Sequence, residues 1–261
     1  VIGALGLKNR EHVRSQAELE LKRTVDLLGH ENETLIAGIR QVLSTLSHSH
    51  DIMEVPDATR LLKKVQSEHP SYANIYVVNS AGSILASALP IFKRNLSDRK
   101  YFRGAMTKKK FSVGEFVLGA TNGRPRLHFA YPILSSRGDA VGTVVAAIEL
   151  EMFGKLISIA KLPEGSIIAL TDHAGKRLYR YPETEKFIGL DDLPRMMGRM
   201  RGPADEGTFT EKGVDGTRRF YAYRTFTLPG EDRPFLYMRA GVPTSRLNTA
   251  ARKEFITGMG L

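Results

Sequence analysis

From Asn9 to about Ser47 the chain contains no proline, and Leu21, Val25, Leu28, Asn32, Leu35, Ile39, Val42 and Leu46 recur at alternating steps of four and three. A seam of this period, held over more than three heptads, predicts one helix of nearly forty residues, roughly 55 to 60 Å long. Whatever follows in the chain is arranged beside that rod. The seam can pair with its twin in a homodimer or lie against the chain's own sheets, and both can hold on different faces. Asn32 falls on an a-type position, where a polar side chain fixes register. Gly29 and Gly38 each weaken the helix by about 1 kcal/mol relative to alanine.

Beyond the rod, Pro56-Asp57 opens a second helix from Ala58 to about Glu68, and Pro70 stops it. A strand, Ile75 to Asn79, then turns at Ser80-Ala81-Gly82 into Ile84 to Ser87. The same order returns as Ile167 to Asp172, His173-Ala174-Gly175 and Leu178 to Pro182, with the two glycines 93 residues apart. Arg126 with Phe129-Ala130-Tyr131 is echoed by Arg218 with Tyr221-Ala222-Tyr223, the alanines 92 apart. Two landmarks at nearly one offset argue for a duplicated unit of about 90 residues. Each unit then holds an antiparallel sheet of about five strands with flanking helices, an α+β architecture. The expected divisions are a stalk over 1–56, a first module over 57–150, a second over 151–243 and a closing helix over 244–261. Glu151 to Lys161 reads as a helix connecting the modules.

Residues 97–150 carry the densest pattern. Ser97-Asp98 offers a helix cap, and Asp98-Arg99-Lys100-Tyr101-Phe102-Arg103 puts two guanidiniums and two rings into about one and a half turns. Thr121 to Pro125 and Ser135 to Asp139 hold turn residues, and between them Leu127, Phe129, Tyr131 and Ile133 alternate with smaller or polar side chains, the period of a half-buried strand. Val141 to Leu150 is more continuously apolar and so more central. The DRxYFR block, the GxFxxG strand, the GRPxLHFAYP strand and the GxVVAAIEL strand resemble the double Cache family. That family comprises extracytoplasmic ligand-sensing regions of bacterial and archaeal transmembrane receptors, in which two PAS-like modules stand beside one long helix.

The chemistry-bearing residues fit recognition better than catalysis. There is no GxSxG elbow, P-loop, HExxH or kinase signature, and with no cysteine there is neither a disulfide framework nor a thiolate site. No cofactor or metal is expected: His48-Ser49-His50-Asp51 reads as a polar helix terminus. Arg99 and Arg103, four apart, can offer bidentate donors to a carboxylate, with Tyr101 and Phe102 walling in its apolar part. The resemblance adds that an amino-acid-binding branch of the family uses an Arg-x-Trp-Tyr motif, which Arg99-Lys100-Tyr101-Phe102 approaches with Tyr for Trp and Phe for Tyr. It also implies that Glu149 stands where that branch has an aspartate for the ligand amine. Phe116 and Tyr131 are further wall candidates, and His128, which alternation sets opposite Tyr131, is a polar contact. The candidate ligand-binding set is therefore Arg99, Tyr101, Phe102, Arg103, Phe116, His128, Tyr131 and Glu149.

A net charge of +10 first suggests nucleic acid, but lysine and arginine are scattered, with no basic stripe interleaved with exposed aromatics. No nucleic-acid partner is expected. No segment has the ~18 consecutive apolar residues that a membrane span needs. The apolar ends Val1 to Leu7 and Phe255 to Leu261, each beside charge, read as the stubs of two spans. The expectation is thus a periplasmic or extracellular domain anchored in the inner membrane, a homodimer through its first helix, binding a small carboxylate or amino-acid-like solute. Its output would be a histidine kinase or, alternatively, a diguanylate cyclase or chemoreceptor. The rival is an adaptor whose pocket is filled by its own side chains and which signals through a protein partner.

Overall fold

The computed structural model describes residues 2–91, 95–118, 123–152 and 162–247. Helix α1 (Ile2–Ser47) is the expected rod. Its buried stripe runs Leu21, Val25, Leu28, Asn32, Ile36, Ile39, Leu43 and Leu46. Ile36 and Leu43 replace the expected Leu35 and Val42, which are half-buried. The physical reason is helical drift: a straight helix of 3.6 residues per turn slips by about 20° per heptad against a strict 3.5 repeat, so its buried stripe moves on by one residue. The chain divides into two compact units, residues 32–153 and residues 1–31 with 154–261.

In the first unit, α2 (Val55–Glu68) carries proline in its first turn and packs against β1 (Tyr72–Asn79) and β2 (Ile84–Ser87). Next come α3 (Lys100–Lys108), β3 (Ser112–Val113), β4 (Val117–Leu118), β5 (Pro125–Leu134) and β6 (Ala140–Glu149). All pairings are antiparallel, in the order β2-β1-β6-β5-β3, with β4 also on β5. β6, buried from Gly142 to Ile148, lies between β1 and β5, which is why it reads as a continuous apolar run. β5 pairs along its length with β6, whereas β3 reaches only Phe129 and Ala130 on its other side.

The second unit holds β7 (Ile167–Asp172), β8 (Arg177–Tyr181), α4 (Thr184–Phe187), α5 (Pro194–Met200), β9 (Glu206–Lys212), β10 (Arg218–Phe226) and β11 (Leu236–Pro243). Its sheet order, β8-β7-β11-β10-β9, repeats that of the first. The repetition reaches single atoms. Asn79 Oδ1 accepts the N–H of Ser83 at 2.9 Å, and Asp172 Oδ1 accepts that of Lys176 at 2.8 Å. The turn glycines Gly82 and Gly175 sit at φ 84° and 96°, a region open to glycine at little cost. Register shifts after Val77 and after Leu170 recur at the same place.

Matching Asn79 with Asp172 and following the cross-strand registers sets Arg126 against Arg219, His128 against Tyr221 and Ala130 against Tyr223. The pairing of Ala130 with Ala222 that the sequence suggests is thus one residue out, and such a slip reverses the face on which every side chain stands. Most of the expected connecting helix, from residue 153 to 161, and the chain from 248 onward lie outside the described residues.

Candidate functional site

One face of the first sheet collects the polar groups. Its neighbour is α3, whose Tyr101, Phe102 and Ala105 are buried with Tyr76, Val78, Ala130 and Val145. Helix α3 begins at Lys100 with Arg99 as its N-cap, not at the expected Ser97-Asp98. Ser97 is spent on Asn95, whose Oδ1 accepts both its N–H at 2.9 Å and its hydroxyl at 2.6 Å. The Tyr101 ring stacks on His128 of β5, with centroids 5.0 Å apart, and its hydroxyl lies 3.0 Å from that of Tyr76 on β1. Gly114 permits this packing, because a Cβ there would stand 2.8 Å from the Tyr101 ring.

Strand period then adds Arg126 and Glu149. They face each other across β5 and β6, two residues from His128 and Ala147, and so share its face. Glu149 lies 3.0 Å from Arg124 and 3.7 Å from Arg126. Arg99 approaches Asp98 at 3.8 Å and keeps a third of its side chain exposed.

The charge states follow from this setting. Burial, then the Arg126 and Arg99 guanidiniums, holds the His128 imidazole down to about 3, so it is neutral at physiological pH. Its Nδ1 is buried with no hydrogen-bond partner among the described residues. Burial raises both phenols, Tyr76 most strongly and with a further push from Tyr101, so both stay protonated. The face therefore offers two guanidiniums, two hydroxyls, a neutral imidazole and a carboxylate around a stacked ring pair. Nothing in it pairs a nucleophile with a base; it can hold a polar solute by directional hydrogen bonds.

Of the residues singled out in the sequence, the structure brings Tyr101, Phe102, His128 and Glu149 to this face, with Arg99 at the start of α3. Arg103, one turn on, is exposed, and Phe116 is half-buried in the bend between β3 and β4. Tyr131 lies on the reverse face of β5, as its odd spacing from His128 requires, and there it lines a separate cleft. Tyr76 and Arg126 share this face, although the sequence did not mark them as binding residues. The available signals were a tyrosine between Ile75 and Val77 and an arginine two residues before His128.

The corresponding face of the second sheet is closed by charge and by apolar packing. Met196, Met197 and Met200 of α5 pack on Tyr221, Tyr223 and Phe209. Arg177, Arg180, Arg219 and Arg239 are each 3–4% exposed. Asp215 bridges Arg180 and Arg219 at 2.7 and 2.8 Å, while Asp192 holds Arg239 at 2.5 Å with Arg177 at 3.8 Å. Burial alone would raise Asp215, but the hydrogen bonds from Arg219 and Thr217 and the charges of Arg219 and Arg180 bring it down to about 2.

Family comparison decides what this pair of modules is. The Cache domain family model matches residues 9–251. The chain belongs to the double Cache family. Double Cache domains are extracytoplasmic, non-catalytic sensors of histidine kinases and chemoreceptors. This double Cache domain is 23% identical over 195 residues to sporulation kinase D of Bacillus subtilis, across 71% of the chain but 38% of that protein. It thus spans well under half the length of that curated relative. Among solved structures it resembles the extracellular domain of rpHK1S-Z16, a histidine kinase by assignment, with TM-score 0.74, 20% identity and 89% and 97% of the two chains covered. It also resembles the ligand-binding domain of the Pseudomonas aeruginosa PAO1 amino acid chemoreceptor PctC in complex with GABA, with TM-score 0.64, 16% identity and 87% and 100% covered. No helix among the described residues of this double Cache domain is long and apolar enough to cross a membrane.

Proposed function

We propose that this double Cache domain is the periplasmic or extracellular sensor of a membrane-anchored histidine kinase, and that its first module binds a small carboxylate or amino-acid-like solute without changing it. The observation that carries the reading is the gathering of Arg99, Arg126, His128, Glu149 and the Tyr76–Tyr101 hydroxyl pair on one sheet face beside α3. Arg99 and Arg126 supply charge for a carboxylate, Tyr101 and His128 a flat wall, and Glu149 an acceptor for an amine. Because Arg124 and Arg126 already engage Glu149, a simple carboxylate fits at least as well as a zwitterion. A kinase named among the relatives and an amino acid chemoreceptor among the structural neighbours support sensing as the role. The chemoreceptor keeps that output open beside the kinase.

Homodimerisation through α1 is part of the proposal, since Leu27 is 59% exposed on a helix whose opposite stripe is buried. Signalling then requires that the ligand favour one of two arrangements, because equal affinity for both shifts nothing.

The test is thermal and urea unfolding against a panel of carboxylates, amino acids and amines. A true ligand at ~100 times its dissociation constant adds about 2.7 kcal/mol. Arg99→Ala should abolish that gain with the fold intact. A gain that survives in the variant moves the site elsewhere, and no gain from any compound favours an adaptor signalling through a protein partner.

A further inference from the structure

Three sequence features without a role in that site meet around the far end of β5, beyond its pairing with β3. They are the His48-Ser49-His50 end of α1, the lysine run at the end of α3, and Tyr131. Together they line a cleft of about 370 Å³, within the usual range for small-molecule sites. Its ionisable lining consists of His48, His50, Lys109 and Tyr131; no carboxylate among the described residues lines it. The remaining wall is largely apolar and includes Met53 and Val141. His48 is fixed by Nδ1, which donates to Ser44 O at 2.7 Å.

Lys109 supplies a second, independent observation. It caps α3 at φ 52°, in the left-handed region where glycine stands at no cost and a side chain does not. Strain kept at one residue is a reason to ask what its side chain does. Its ammonium is 3.4 Å from Asp139, an exposed carboxylate outside the cleft lining, and is therefore held at the rim by a contact that a competing carboxylate can replace.

We propose that this cleft is a second binding site of the first module, separate from the α3 face, and that it takes a short-chain carboxylate. The carboxylate lies toward Lys109 and the two histidines, with the Tyr131 hydroxyl as a further donor. The few-carbon chain lies along the Met53 and Val141 wall. A ligand of that build uses both halves of the lining, whereas a bare inorganic anion leaves the apolar half wet.

The probe is hexanoate, with hexanamide as its uncharged counterpart and inorganic phosphate as a chainless anion, followed by NMR at the Met53 methyl and the His48 and His50 rings. Hexanoate should shift these signals saturably and hexanamide should not. Lys109→Gly relieves the left-handed backbone, so the midpoint of unfolding should hold or rise while hexanoate binding weakens about tenfold or more. Arg99→Ala should leave the shifts unchanged, which keeps this test independent of the α3 site. Silence of the Met53 and histidine signals up to about 10 mM hexanoate overturns the proposal. So does equal binding of hexanamide or phosphate, or full binding by the Lys109→Gly variant with its fold intact.

Discussion

The two modules place different chemistry at matched positions. In the first, the N–H of Leu96 donates to the carbonyl of the turn glycine Gly82; in the second, the N–H of Asp192 does the same to Gly175. By the same matching, Ile84 stands where Arg177 does, Val78 where Thr171 does and Val145 where Arg239 does. Four apolar side chains under α3 thus correspond to an arginine–aspartate–arginine cluster with a threonine at its centre, which donates to Asp192 at 3.0 Å and accepts from Arg239 at 3.2 Å. One scaffold supports an oily floor whose ion pairs, Arg124 and Arg126 with Glu149 and Arg99 with Asp98, stand apart from it, and a charged floor that carries its ion pairs within it. The difference is one of burial: the Arg126–Glu149 pair keeps part of each side chain open to water, whereas the carboxylate of Asp192 and its two arginines are closed off from it.

The largest effect should come from the charged floor. Asp192→Ala leaves Arg239 and Arg177 buried without the carboxylate between them and should cost about 3–5 kcal/mol in urea unfolding. A loss below about 1 kcal/mol would mean that the cluster is hydrated, and the contrast between the modules would shrink.

Acid should separate the modules next. His128 is held at about 3 in the folded chain against 6.5 unfolded, so its neutral form contributes stability that is complete above 6.5 and lost as pH falls toward 3. Asp215, at about 2 against 3.8, begins to cost stability only below 3.8. The unfolded chain binds the extra proton in both cases, so stability falls with acid, for His128 by up to about 1.4 kcal/mol per pH unit. His128→Gln should flatten the stability profile between 6.5 and about 4 and leave the steeper fall below it. An unchanged slope would mean that the imidazole is already solvated.

The smallest effect belongs to the phenols. Tyr76→Phe removes one buried hydroxyl and its bond to Tyr101 and should cost about 1 kcal/mol, while reducing any ligand-induced gain. A neutral variant with the ligand response unaltered would move the solute away from β1.

Much of this contrast was hidden in the sequence for a definite reason. Strands and turns were legible because Gly82, Gly138 and Gly175 each occupy a positive φ that only a few residues tolerate. The rod was legible from its lack of proline, but its stripe slipped at Ile36 and Leu43, because a period of 3.5 and one of 3.6 part company within a few turns. The site was half legible. Alternation could say that His128 and Tyr131 face opposite ways, but not which of the two α3 covers. Arg103 looked equivalent to Arg99 at a spacing of four, yet Arg99 is the cap residue and Arg103 points from the exposed side. The charged floor was invisible: Arg177, Asp192 and Arg239 are far apart in sequence, and only the sheet order brings them together.

One further consequence lies at the outer border of β5. Gly114 donates to the carbonyl of His128 at 2.8 Å, so the even-numbered residues of β5 turn their backbone groups away from β6. β3 stops at Ala130, and the next position on that side is Pro132, which has no N–H to give. A foreign strand laid along this border would meet an interrupted ladder just where the molecule's own cover ends. A single imino acid thereby breaks the outer ladder of β5 where its pairing with β3 ends, which leaves less for another strand to template on.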